Sequence, residues 1–368
     1  MRTVGVEEEL LLLDAESGQP RALSTAVLAA ARRLRLEHPA VRGGSVFEAE
    51  PQREQVEFAT RPQSRMEDLA AEVVRWRAEA ARHAERSGGA VAALATSPLP
   101  VSPSLSNGER YRWMRERYGL TADEQLTCGC HVHVSVGSDE EGVAVLDRIR
   151  GWLPVLLALS GNSPFWQGRD SGYASYRSRV WGRWPSAGPV EPFGSAAGYH
   201  EQVRAMIATG ALRDPGMVYF DARLSHRYPT VEVRVADVCL DASCTALLAT
   251  LVRALVETAA RAWRAGEPPC THSVALLRLA TWRAASEGIG GRLIHPVTME
   301  PAPAEAVVRA LFDHVRDALE DNGDLIPAQD ALAGLFKSGN GAQIQRDLLR
   351  RAGSLREVVA ACVRRTRM

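Results

Sequence analysis

The segment Gly5-Val6-Glu7-Glu8-Glu9-Leu10 sets three consecutive glutamates in an otherwise apolar run. In a strand, side chains alternate, so Glu7 and Glu9 share a face with Gly5 while Glu8 joins Val4 and Val6. Neighbouring carboxylates repel unless a cation or water separates them. The run therefore reads as part of a metal site or as an exposed acidic edge strand. A second acidic group is Glu48, Glu50, Glu54 and Glu57. The first three share strand parity, and Glu57 joins their face only if a turn or bulge intervenes. Glu57 lies in the otherwise apolar 55–60 run, where a charge needs a partner, although surface decoration is the alternative. In Cys128-Gly129-Cys130-His131-Val132-His133-Val134 the histidines are two apart and point the same way on a strand, a metal-ligand spacing or a pair of histidines without a ligand. In Thr230-Val231-Glu232-Val233-Arg234-Val235, Glu232 and Arg234 share a face, lining a cleft or pairing with each other. Carboxylates in excess of histidines suit Mg²⁺ or Mn²⁺ better than zinc.

These residues need strands to aim them. Alternation predicts strands over 3–13, 91–95, 127–136 and 231–235, and a strand or hairpin over 47–60. Helices are expected over 24–36, 64–86 and 143–159, the last interrupted at Pro154. A Pro/Ser-rich loop spans 97–107, and residues 160–192 form a long Gly/Pro/Trp/Arg-rich stretch whose aromatics argue for order. From 242 onward the chain reads as mainly helical. With no repeat and no linker, the expectation is an α+β fold in a single domain over 1–368.

Composition narrows the partners. Lys+Arg and Asp+Glu both number 44, and zero net charge disfavours nonspecific nucleic-acid or acidic-membrane binding. The most apolar stretch, 246–262, is broken by Arg253, Glu257 and Arg261, so no bilayer span is expected. The N-terminus lacks a signal-peptide pattern, and the six cysteines lack knuckle or redox-pair spacing, so a cytoplasmic protein with reduced thiols is expected. No Gly-rich loop ending in Gly-Lys-Ser/Thr, no dinucleotide fingerprint and no Gly-x-Ser-x-Gly elbow occurs. Lys337 is the sole lysine, so phosphate or carboxylate clamps must be built from arginine.

In their order, the four motifs resemble the type 2 glutamate–cysteine ligases, also called carboxylate–amine ligases. The resemblance extends through Ser163-Pro164-Phe165-Trp166-Gln167-Gly168-Arg169-Asp170-Ser171-Gly172-Tyr173-Ala174-Ser175-Tyr176-Arg177, Trp184-Pro185 and Gly188-Pro189. It ends in Gly339-Asn340-Gly341-Ala342-Gln343-Ile344-Gln345-Arg346. It implies a glutamine synthetase-like fold, in which a curved, mostly antiparallel sheet forms an open funnel with helices packed outside. It further implies ATP and Mg²⁺ (or Mn²⁺), held through Glu7, Glu9, Glu50, Glu57, His131 and Glu232. Arg234 would sit against the transferring phosphoryl group, and Arg177 against a substrate carboxylate or phosphate. The resemblance leaves His133 open between a ligand and a support for one.

The implied chemistry makes glutamate's γ-carboxylate an acyl phosphate that an amine, by default cysteine, then attacks. The expected partners are thus small molecules and, by resemblance, a second copy or more in a homo-oligomer. Glu287 stands near where the family usually has arginine. The alternatives are a ligase of the same mechanism with a different acid or amine, a non-catalytic relative, or a metal-dependent hydrolase. The last would need further strand-end histidines, which His200, His226, His272 and His295 do not supply.

Overall fold

The computed structural model describes residues 1–37 and 47–367. The glutamate run lies in the long strand β1 (Val4–Asp14), whose length lets several neighbours pair along it. β2 (Phe47–Ala49) and β3 (Gln55–Ala59) form the expected hairpin, and β4 (Gly89–Ala92) follows the first long helix, Met66–Arg86. β5 (Gly129–Ser135) carries the histidines. A two-residue-per-arm hairpin, β6 (Phe165–Trp166) and β7 (Arg169–Asp170), breaks the irregular stretch, and β8 (Ala222–Leu224) precedes β9 (Thr230–Asp237).

Seven strands make one antiparallel sheet in the order β2-β3-β1-β5-β9-β8, with β4 also on β1. Leu11 pairs with Gln55 of β3 and with Ala92 of β4, so β4 continues along the edge of β1 that β5 leaves free. The sheet stays open, with β2 and β8 as its ends. Arg227, in the turn between β8 and β9, nevertheless comes within 3.7 Å of Glu48 on β2. The two ends therefore curl toward each other, and the concave face becomes the inside of a funnel, the shape the family resemblance implies.

The helices cover the convex face. Val4, Val6, Val132, Val134, Val231 and Val233 join Leu248, Leu251 and Val252 of helix Ala242–Arg264 in one core. That helix is long and apolar enough by composition to cross a membrane, and 72% of its apolar window is buried inside the protein. Its Arg253 is buried against Asp324. Glu8 also points into this layer, where it is fully buried, and Arg77 from helix Met66–Arg86 meets it with two 2.8 Å hydrogen bonds. Pro154 begins a helix rather than breaking one. It sits in the first turn of Leu153–Ser160, where its missing N–H costs nothing, after the separate Ser138-capped helix Asp139–Ile149.

Residues 160–177 are anchored to the far end of β9. Asp237 accepts hydrogen bonds from Asn162 N (2.9 Å), Ser163 Oγ (2.7 Å) and Ser175 Oγ (2.7 Å). The C-terminal motif clamps the same stretch. Gln345 donates to Asn162 Oδ1 at 2.7 Å, and Arg346 grips Asp170 with bonds of 2.9 and 2.7 Å. A Cβ on Gly341 would stand 2.0 Å from Asn162 Oδ1, so the motif's glycine is needed for this close approach.

Candidate active site

Antiparallel register converts the sequence motifs into rows across the concave face. In one row Glu48, Glu57 and Glu9 are opposite one another on β2, β3 and β1. In the next, Glu7 on β1 is opposite His131 on β5. In the third, His133 on β5 is opposite Glu232 on β9, which is opposite Arg223 on β8. The turn between β2 and β3 is the intervening feature that Glu57 needed. Between Cys130 and Val132 the β5–β9 register shifts by one residue, so Arg234 and Val235 share the space opposite His131. Such a bulge re-aims a side chain and flips the parity beyond it.

The rows line a cavity of about 530 Å³ at the bottom of the funnel. Glu7, Glu9, Glu50, Glu57, His131, Glu232 and Arg234 all line it, with Tyr111, Trp181 and Tyr219 among its aromatic walls. Two candidate ligand sets have their donor atoms within 4.8 Å of one another: Glu7, Glu57 and His131, and Glu7, His133 and Glu232.

Charge within the cavity is unevenly compensated. Burial and the neighbouring carboxylates of Glu50, Glu7 and Glu9 push Glu57 far above the usual range. Burial and the charge of Glu9 push Glu50 up to about 8. Glu7 goes the other way, because its contacts with His131 and His133 outweigh its burial. Glu232 is held low despite burial by Arg234 and by Arg223, whose Nε and Nη2 donate to it at 2.8 and 3.2 Å. Burial and the Arg234 charge lower His131, whereas contact with Glu7 and the Glu232 charge raise His133 against its burial.

The donor set fits a hard divalent cation. Crowded carboxylates are held partly protonated for want of positive charge, which a cation would supply. The Nε2 atoms of His131 and His133 are buried and have no hydrogen-bond partner among the described residues. A lone pair on such a buried ring nitrogen is costly unless something binds it.

Arg177 is the sequence candidate that the structure places elsewhere. It is 2% exposed and does not line the cavity. Its guanidinium lies over Gly129, where a Cβ would be 2.3 Å from Nη2, and its one bond to the strands is a 3.4 Å contact with Val235 O. The Trp181 ring, which does line the cavity, has its centroid 5.6 Å from the Arg177 guanidinium carbon and 5.9 Å from that of Arg234. Glu54 also leaves the site, turning to accept from Ser104 N (3.0 Å) and Oγ (2.6 Å). Glu287 is exposed and away from the cavity, and the C-terminal glycine motif, largely buried, does not line it either.

Sequence reasoning missed Arg223 and Thr230. Arg223 sits at an alternate position of a three-residue strand, too short for periodicity to expose. Thr230 bonds His133 Nδ1 at 3.0 Å, and the cue was its parity with Glu232 at the start of the same strand.

The family model described as glutamate-cysteine ligase family 2 matches residues 3–361. A Streptomyces avermitilis protein with the provisional name glutamate–cysteine ligase 2-1 is 65% identical over all of this chain and 99% of its own length. A Streptomyces coelicolor protein provisionally named glutamate–cysteine ligase 2 is 64% identical, again over 100% of this chain and 99% of that one. Among solved structures, the glutamate–cysteine ligase of Francisella tularensis in complex with AMP superposes with a TM-score of 0.69 at 13% identity. It covers 100% of this chain and 89% of that chain.

Proposed function

The chain belongs to glutamate–cysteine ligase family 2, and from that membership we propose that it is an ATP-dependent carboxylate–amine ligase joining glutamate's γ-carboxylate to an amine, with cysteine the default acceptor. The observation that carries the proposal is the cavity itself. Carboxylates from β1, β3 and β9 and histidines from β5 converge on one concave face with Arg234 beside them. The AMP bound to the Francisella ligase supports nucleotide use by a chain of the same fold.

In this proposal Glu7, Glu9, Glu50, Glu57, His131 and Glu232 hold Mg²⁺ or Mn²⁺. The bound cation supplies charge neutralisation for the phosphates of ATP. Arg234, anchored by Glu232 and 3.4 Å from His131 Nδ1, presents its guanidinium where negative charge accumulates as the γ-phosphoryl group moves to the substrate carboxylate. Arg223 grips the other side of Glu232 and is itself held by Val218 O at 2.9 Å, which keeps the carboxylate fixed. Trp181 and Tyr219 shield the wall from water, which would otherwise hydrolyse an acyl phosphate. Arg177 serves by positioning, since it packs on Gly129, whose N–H donates to Glu9 at 2.6 Å. The amine then attacks the acyl carbon and phosphate leaves, a route that needs no protein nucleophile and no lysine.

The test incubates the protein with ATP, Mg²⁺, glutamate and a panel of amines, and reads products by mass. A γ-glutamyl amide with stoichiometric ADP and phosphate is expected. A product built on another acid would overturn the glutamate assignment, and a lack of ATP turnover with every amine would overturn the ligase reading.

A further inference from the structure

Cys239 and Cys244 stand outside every role assigned so far. Neither lines the active-site cavity. Both line a second cavity, of about 230 Å³, between the start of helix Ala242–Arg264, helix Leu325–Ser338 and the C-terminal glycine motif. Cys239 is buried in the segment that leaves β9, and Cys244 is partly exposed in the first turn of the helix, third from its start. A helical Cβ tilts toward the N-terminus, so a side chain at that place leans back over the residues that enter the helix. Asp241 fixes the bend, its carbonyl accepting from Cys244 N at 3.0 Å. The Cys244 thiol is thereby brought against Cys239, and the two side chains hydrogen-bond. The entering segment is itself held, since Cys239 O and Leu240 O accept from Arg77 at 2.7 and 2.9 Å. Cys270, the other partly exposed cysteine, lies beside Gly151 instead.

We propose that Cys239 and Cys244 are a peroxide-oxidised thiol pair, in which Cys244 meets the oxidant in the second cavity and Cys239 closes the reaction as an intramolecular disulfide. The Cys244 sulfur attacks one oxygen of hydrogen peroxide. An S–O bond forms, the O–O bond breaks, and the leaving hydroxide takes the thiol proton and departs as water. Cys244 is thereby oxidised by two electrons to a sulfenic acid. Cys239 Sγ then attacks the Cys244 sulfur. The S–S bond forms, the S–O bond breaks, and the departing hydroxide takes the Cys239 proton as a second water. Two thiols and one peroxide thus give one disulfide and two waters.

The order of attack follows from access. Cys244 is the more exposed of the two, whereas contact with Cys244 and burial push the Cys239 thiol well above its usual range. A buried, weakly acidic thiol is a poor first nucleophile. Once Cys244 is oxidised, the thiol contact that held Cys239 back is gone, and the sulfur to be attacked is already adjacent. Without that second step the sulfenic acid would go on to sulfinic and sulfonic acids, which thiols do not reverse. The pair therefore keeps oxidation at this cavity reducible.

The test treats the reduced full-length chain with hydrogen peroxide, blocks thiols with N-ethylmaleimide under denaturing conditions, and maps tryptic peptides by mass without reduction. Cleavage after Arg234 and Arg253 keeps both cysteines on one peptide. That peptide should be labelled at both cysteines before peroxide and at neither after it, its mass then lower by two hydrogens than the unlabelled dithiol. Dithiothreitol should restore both labels, and Cys270 should still be labelled when the pair has closed. Cys239→Ser should carry Cys244 as sulfinic or sulfonic acid after the same treatment, and Cys244→Ser should leave Cys239 labelled. A parent peptide labelled at both cysteines after peroxide overturns the proposal. So does closure only after Cys270 is consumed, a disulfide from either cysteine to Cys130, or a Cys239→Ser protein whose Cys244 keeps its label. Should a serine variant fail to fold, the parent peptide decides by itself.

Discussion

Replacing Arg77 by methionine isolates what the convex layer does for the site. Glu8 has no exposed surface, and Arg77 meets it with two hydrogen bonds of 2.8 Å. The same guanidinium donates to Leu240 O at 2.9 Å and Cys239 O at 2.7 Å, tying helix Met66–Arg86 to the start of helix Ala242–Arg264. Thr245 Oγ1, at 2.6 Å, would be the main remaining partner of Glu8. Breaking a buried pair from one side costs about 3–5 kcal/mol, because a charge is left uncompensated in the interior. For 368 residues the unfolding entropy at the midpoint is about 0.8 kcal/mol per kelvin, so Tm should fall by about 4–6 °C. Adding Glu8→Gln removes the stranded charge and should return about 1–3 kcal/mol of that loss, while the two carbonyls stay unpaired. Calorimetric or circular-dichroism melts of parent, single variants and double variant close the cycle. An Arg77→Met protein melting within about 1 °C of the parent, a difference of roughly 1 kcal/mol, would refute the reasoning. A double variant no more stable than Arg77→Met would refute it equally.

Three further outcomes are expected. Glu7→Gln or Glu9→Gln should abolish ATP turnover with the fold intact by circular dichroism, and full activity in either would sink the metal assignment. Arg234→Lys should lower kcat by roughly 100-fold, since a point charge replaces a planar fork; an unchanged rate would make Arg234 structural. Glu50, pushed up to about 8 by burial and by Glu9, keeps its proton in the folded cation-free protein while the unfolded chain has lost it. Cation-free stability should therefore fall as pH rises from the ordinary carboxylate range toward 8 and then level off. Stabilisation by added Mg²⁺ should grow over the same window, because the cation competes with that proton. Melts across pH with EDTA or Mg²⁺ measure both, and a flat profile in EDTA that Glu50→Gln leaves unchanged would count against the crowded-carboxylate picture.

Strand alternation alone determined which side chains share a face: Glu7 with Glu9, His131 with His133, Glu232 with Arg234, and Glu8 away from all of them. That information is local, because a period of two is written into consecutive residues. The family resemblance supplied the open antiparallel sheet and the expected ligand set. Tertiary structure alone decided which strands lie side by side and in what register, since pairing is selected by burial over the whole sheet. It brought Glu57 round to Glu9 through the β2–β3 turn and sent Glu54 to Ser104. The bulge opposite His131 set Arg234 beside it. Packing also drew Arg177 out of the cavity onto Gly129 and supplied Arg223 and Thr230, residues whose roles exist only through cross-strand neighbours far away in sequence. The carboxylates were legible because alternation is a property of the chain, whereas their partners required the fold because proximity is a property of packing.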